Sequence, residues 1–298
     1  MTRRLLVAIA LGLMTLLGAS GSVQAADKSK AVASFSILGE MVKQVGGDRV
    51  EIITLVGPDG DAHVYEPTPA DAKNLAAANI LFVNGLGFEG WMDRLEKSSG
   101  FRGKTVVAST GVKSRQMVED DKTITDPHAW QSLANGKLYV ANIRDRLIAV
   151  DPDGKATYEA NAAKYLDEIA NEESVVKQTL AKLPESRRKI ISSHDAFGYF
   201  GAAYGLQVIA PEGVSTESEA SAKDVAKIIR QIKKENIPAV FLENITDHRL
   251  LDQIAKETGA KIGGTLYTDA LSPPSGPAGT YLDMFRNNIE TLSEALSS

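Results

Sequence analysis

The chain contains four histidines, and three of them stand in settings where imidazole chemistry is plausible. His63 lies in the loop-like stretch GPDGDAHVYEPTPAD. His128 lies in TDPHAW, where Asp126 can cap and Pro127 can begin a helix. His194 lies in IISSHDAF, just beyond an apolar run, and Asp269 in LYTDALS follows another such run. Imidazole and carboxylate groups bind metal ions or move protons. Taken singly, each of these residues fits equally well as a surface group, a satisfied hydrogen-bonding partner or a turn carboxylate. The separations of 65, 66 and 75 residues match no short zinc motif, so any shared site must be assembled by tertiary structure. Cysteine is absent, which removes Cys-type zinc sites, iron–sulfur clusters, thiol catalysis and a lipid-bearing cysteine.

The elements around these residues read as alternating strands and helices, which implies parallel βα units. In the first half the pattern predicts strands over Ala31–Phe35, Glu51–Val56, Ile80–Val83 and Thr105–Ala108, with helices over Ile37–Val45 and Phe88–Lys97. Thr68-Pro69-Ala70-Asp71 carries a cap, a proline at the first helical position and an acid at the third, opening a helix towards Ala78. The second half repeats the order. Strands are predicted at Lys189–Ser192, Leu206–Ile209, Ala239–Leu242 and Lys261–Leu266, with helices at Ala196–Tyr204, Ser221–Glu235 and Arg249–Thr258. Between the halves, Tyr158, Ala162, Tyr165, Ile169, Val176 and Leu180 form one apolar stripe, predicting a long helix over Lys155–Lys182, with two shorter helices broken near Asn171–Ser174 as the alternative. The candidate residues follow strands or stand at helix starts, two in each half, where open α/β sheets bind ligands.

Composition narrows the function classes. Hydrophobic residues at 43% and charged residues at 24% describe a globular chain, and its 298 residues favour two domains. The net charge of −5 argues against general nucleic-acid binding, which needs a basic face. Arg3 and Arg4, the apolar run Leu5–Leu17 and the small-x-small site ending at Ala25 read as a cleavable signal peptide. Its removal would take the net charge to −7, and an exported chain without cysteine fits a bacterial periplasm. The expected division is a signal peptide over 1–25, an N-terminal α/β lobe over 26–150, a linking helix over 151–184 and a C-terminal α/β lobe over 185–298.

The stretches DAHVYEPTPAD, DPHAW, SSHDAFGYF, VFLEN and TDALS, in this order, resemble the metal receptors of ABC importers, the zinc and manganese solute-binding proteins. The resemblance covers residues 26–298. It implies two α/β lobes with central sheets flanked by helices, joined by one long rigid helix, with the metal between the lobes. It also implies that His63, His128, His194 and Asp269 are the ligands, that no residue is catalytic, and that the partner is an ABC permease in the inner membrane. Three imidazoles and one carboxylate suit Zn²⁺, whereas Mn²⁺ favours shells richer in oxygen. In manganese-type members the position of His194 is commonly glutamate, so zinc is expected and manganese is the alternative.

Asp126, Asp195, Glu66 and Glu243 are candidates for supporting the ligands from behind. Zinc receptors often carry a His-rich insertion between the first two ligand motifs. Here Val112–Thr125 has none, only Glu119-Asp120-Asp121, read as a solvated loop or a weak collecting patch for cations. His248 is expected at the surface, and Trp130 is placed to report binding by fluorescence. The protein is expected to be a soluble monomer without a lipid anchor, supplied from solution or by a periplasmic metal donor. A zinc hydrolase is the competing reading, weakened by four proposed ligands and the lack of an H-E-x-x-H helix. A receptor for an organic solute would need an aromatic or arginine-lined cleft, and aromatics are 6% of the chain.

Overall fold

The computed structural model describes residues 28–119, 122–217 and 220–297. The signal-peptide segment and the core of the acidic run, Asp120 and Asp121, lie outside the described residues. The first lobe is built from β1 (Ser29–Phe35), α1 (Ser36–Gly46), β2 (Val50–Val56), α2 (Pro69–Ala76), β3 (Ile80–Val83), α3 (Met92–Ser99) and β4 (Lys104–Val107). A hairpin of β5 (Arg115–Glu119) and β6 (Lys122–Asp126) follows, then α4 (Leu133–Val150) and the long α5 (Lys155–Ala181). The second lobe holds β7 (Lys189–Ile191), α6 (Gly198–Tyr204), β8 (Gln207–Ile209), α7 (Ala222–Glu235), β9 (Ala239–Glu243), α8 (Arg249–Thr258), β10 (Lys261–Leu266) and α9 (Tyr281–Ser297).

Each lobe has a four-stranded parallel sheet, in the order β2-β1-β3-β4 and β10-β9-β7-β8. Counted within each lobe, both orders are second, first, third, fourth strand, so the halves share one topology. In both, the chain reverses its direction of travel beside the first strand. That places a crevice at the carboxyl end of each sheet, where such folds receive ligands.

Local chemistry explains several boundaries. The Thr68 hydroxyl accepts from the Asp71 N–H while Asp71 accepts from the Thr68 N–H, a reciprocal cap that starts α2 where the sequence placed it. The helix expected at Phe88 begins instead at Met92, because Phe88–Trp91 form turns that bury the Glu89 carboxylate. Pro127 opens no α-helix. Asp126 ends β6, a 3₁₀ turn covers Ala129–Gln131, and α4 starts at Leu133. Three elements were not anticipated, the β5–β6 hairpin, α4 and α9. Asn135-Gly136 reads as a turn, yet it lies inside α4. A Cβ at Gly136 would sit 2.7 Å from the Tyr281 hydroxyl, so only glycine lets α9 approach there.

The 27 residues of α5 span about 40 Å. One face touches α1 of the first lobe and α9 of the second. Tyr165 on α5 donates to Glu40 on α1 at 3.1 Å, and Arg286 on α9 donates to the buried Glu172 on α5 at 2.8 Å. A single apolar core runs from the first sheet through α4, α5 and α9 to one face of the second sheet. The other face of that sheet, carrying Ile191 and Val240, packs with α7 and α8 in a smaller separate core. Among the described residues, no helix is long and apolar enough to cross a membrane.

Candidate metal centre

His63 lies on the long loop between β2 and α2. His128 lies between β6 and α4, His194 beyond β7, and Asp269 beyond β10. Residues up to 206 positions apart in the chain thus meet at the carboxyl ends of both sheets. His128, His194 and Asp269 are fully buried, and the His63 side chain is 4% exposed. The three imidazole centroids stand 5.3, 5.3 and 5.7 Å apart. Their Nε2 atoms all turn towards Asp269 Oδ2, which lies 3.1 Å from His63, 3.1 Å from His194 and 3.5 Å from His128. His63 Nε2 and His128 Nε2 are 3.3 Å apart.

A four-coordinate ion with Zn–N bonds near 2.0–2.1 Å spaces its donor atoms about 3.3–3.4 Å apart, close to these separations. The full set of four donor atoms fits within 4.8 Å, wider than a regular tetrahedron on at least one side. Asp269 Oδ1 is buried without a hydrogen-bond partner among the described residues. An oxygen in that state carries a desolvation cost that a bound cation would relieve. Three nitrogens and one or two oxygens can therefore serve either a tetrahedral or a more oxygen-rich shell.

Two of the three imidazoles are held from behind by carboxylates. Asp126 Oδ1 accepts the backbone N–H of His128 at 3.0 Å and lies 3.0 Å from its Nδ1. Glu243, at the end of β9, lies 2.6 Å from His194 Nδ1 through Oε2. Its Oε1 accepts from the Ser192 hydroxyl and from the Ser193 and His194 N–H groups, and Oε2 accepts from the Thr268 hydroxyl. Such partners fix the ring orientation and the nitrogen that faces the centre. Asp195 and Glu66 depart from expectation. Asp195 is half-buried, Glu66 is exposed, and among the described residues neither carboxylate bonds to an imidazole. His248 is exposed, with its ring 3.1 Å from the Glu243 carbonyl.

Charge in this pocket is strongly coupled. Burial pushes the His128 imidazole down, but Asp269 and Asp126 outweigh it and carry it up to about 9. Burial likewise opposes protonation of His194, yet Glu243 and Asp269 raise it well above the ordinary value. Asp269 is raised by burial and then driven well below the carboxylate range by His128 and His194. His63 alone among the three is lowered, because burial dominates over its contact with Asp269. At neutral pH without metal, His128 and His194 thus hold protons facing an ionised Asp269, and His63 is neutral.

Two features escaped the sequence. Phe88 sets its ring 4.8 Å from His63 and 4.8 Å from Trp130, whose own ring lies 5.3 Å from His128, forming an aromatic wall. Glu89 accepts from the Ser34 hydroxyl at 2.6 Å and from the Asn84 and Gly85 N–H groups, tying β1 to the loop after β3. The signal was a lone acid between Phe88 and Trp91 in a Gly-rich apolar stretch. Trp130 and Gln131 both donate to the Thr268 carbonyl, linking the His128 segment directly to Asp269 across the lobes.

Comparison with known proteins gives a consistent result. Residues 31–295 match the family model described as ZnuA, zinc-uptake complex component A, periplasmic. The chain is 32% identical over 278 residues to the manganese-binding lipoprotein MntA of Halalkalibacterium halodurans, covering 93% of this chain and 92% of that protein. It is 30% identical over 270 residues to the iron-binding protein YfeA of Yersinia pestis, covering 90% and 86%. The structure superposes on the periplasmic zinc-binding protein TroA of Treponema pallidum with a TM-score of 0.85 at 28% identity, covering 90% and 99%. The expectation of an unanchored protein is corrected by the first of these. That expectation rested on the lack of a cysteine to carry a lipid, and it is overturned by relatives such as the Halalkalibacterium protein, which are named lipoproteins.

Proposed function

Because this chain belongs to the ZnuA family of metal-binding solute receptors for ABC importers, we propose that it captures one divalent transition-metal ion with His63, His128, His194 and Asp269 and delivers it to a membrane permease. The observation that carries this reading is the convergence of three Nε2 atoms on one oxygen of Asp269, while its other oxygen has no hydrogen-bond partner among the described residues. The ion is cargo, and the family is one of transport receptors rather than enzymes. Zinc is the ion proposed, since three imidazoles and one carboxylate are donors it prefers. Manganese is the second reading, favoured by the name of the Halalkalibacterium relative and by the second Asp269 oxygen available to enrich the shell.

The proposed setting is the periplasm, reached by means of the signal peptide ending near Ala25, with the protein working as a monomer supplied from solution or by a periplasmic donor. The working division is a lobe over 26–150, a linking helix over 151–184 and a lobe over 185–298. Calorimetric titration of chelator-stripped protein with Zn²⁺ and Mn²⁺ in competition tests the reading. One tight Zn²⁺ equivalent that Mn²⁺ does not displace is expected. Preference for Mn²⁺ would replace the ion and keep the transport role, and no tight site for either would end the proposal.

Glu243→Gln is expected to lower affinity roughly 10–100-fold, the usual effect of losing a ligand's supporting partner. The same titration reads it, and a variant as tight as the parent would reduce Glu243 to a fold residue.

A further inference from the structure

No carboxylate backs the His63 ring in the way that Asp126 and Glu243 back His128 and His194, among the described residues. What fixes His63 lies two residues upstream. Asp61 Oδ1 accepts the His63 backbone N–H at 2.9 Å, and Asp61 Oδ2 accepts the Thr216 hydroxyl at 2.6 Å. Thr216 belongs to the loop after β8, in the opposite lobe. That loop is itself fastened to the segment around His194, with the Asp195 N–H donating to the Gly213 carbonyl at 2.9 Å and the Glu212 N–H to the Ser193 carbonyl at 3.2 Å. One carboxylate therefore joins the backbone of one proposed ligand to the loop that flanks another. A second crossing runs beside it, where Asp59 accepts from the Asn244 side chain at 2.9 Å and donates its N–H to the Leu271 carbonyl at 2.9 Å.

We propose that Asp61 is a positioning residue, and that its bond to Thr216 is a latch that sets how fast the bound metal leaves. The inference rests on the proposed four-ligand site. His128, His194 and Asp269 belong to segments joined to one another by the Trp130, Gln131, Thr268 and Glu243 contacts. His63 stands on a loop held across the cleft by the hydrogen bonds of Asp59 and Asp61, so it is the ligand able to withdraw while the other three stay in place. Withdrawal must first break the bond between Asp61 and Thr216. A hydrogen bond to an ionised carboxylate is among the stronger kinds, and its loss falls on escape rather than on first encounter.

The test is stopped-flow release of Zn²⁺ into excess chelator, and of Mn²⁺ in parallel, using the full mature chain and following intrinsic tryptophan emission. Thr216→Val removes the cross-lobe bond alone and is expected to speed release about tenfold while leaving the association rate within about twofold, the size of effect one such bond supplies. Thr216→Ser restores the hydroxyl and should release metal at the parent rate. Asp61→Ala removes both bonds and should release faster still. Equal release from Thr216→Val and the parent would overturn the latch, as would equal release from the Val and Ser variants. If the parent itself holds neither ion, the four-ligand reading fails instead, which separates the two outcomes.

Discussion

Asp269→Asn is expected to lower affinity for the ion on the order of 1000-fold, beyond the roughly 10–100-fold typical of a supporting residue. Asp269 is the one carboxylate among the four proposed ligands. Its Oδ2 is shared by three imidazoles, and its second oxygen is unpartnered among the described residues. The amide keeps the shape and one acceptor but removes the charge that offsets a divalent cation in a buried pocket. It also removes the partner that holds protons on His128 and His194, so the metal-free variant should carry less charge there. Titration against chelators of graded affinity measures the loss, with circular dichroism confirming the fold. A variant within tenfold of the parent would show that Asp269 is not a ligand.

Affinity is also expected to drop as pH falls from 8 to 7, by about tenfold for each imidazole that must give up a proton for the ion to enter. The sign follows from the metal-free state. His128 is carried up to about 9 by Asp269 and Asp126, and His194 is raised in the same direction by Glu243 and Asp269, so the ion competes with protons on these rings. His63 and Asp269 are shifted down and add nothing to the slope there. Imidazoles with ordinary values near 6.5 would already be neutral, and affinity would change little between pH 7 and 8. Calorimetry in buffers of differing ionisation enthalpy counts the protons directly. Release of one proton or more at pH 7.5 supports the coupled pocket, and release near zero removes it.

Much of the frame was legible because it depends on local chemistry. The reciprocal cap of Thr68 and Asp71 fixes α2 within four residues of chain, and the apolar stripe from Tyr158 to Leu180 makes α5 readable without its neighbours. What failed was set by distant contacts. Gly136 looks like a break until Tyr281, far along the chain, is seen to need its missing side chain. The stripe of Tyr281, Phe285, Ile289, Leu292 and Leu296 in α9 has helical spacing, but Pro- and Gly-rich chain precedes it and hides its start. The four site residues were legible as a set through ordered motifs, while their geometry was not. Glu89 and Asp61 matter through bonds to residues 55 and 155 positions away, and no short pattern announces either.

The core that runs beneath both lobes has a mechanical consequence. Protein interiors are packed like organic crystals and yield little when pushed. Three of the proposed ligands are fully buried against that medium, so an ion of the wrong radius must strain it to fit. Under the proposed latch, His63 faces the same ion from a loop anchored by hydrogen bonds, and that is the side that gives. On that proposal the centre works as a gauge with three fixed jaws and one sprung one. Discrimination by size comes from the stiffness behind the donors as much as from the donors themselves, and softening the packing under Trp130 would widen the range of ions accepted without altering a single ligand.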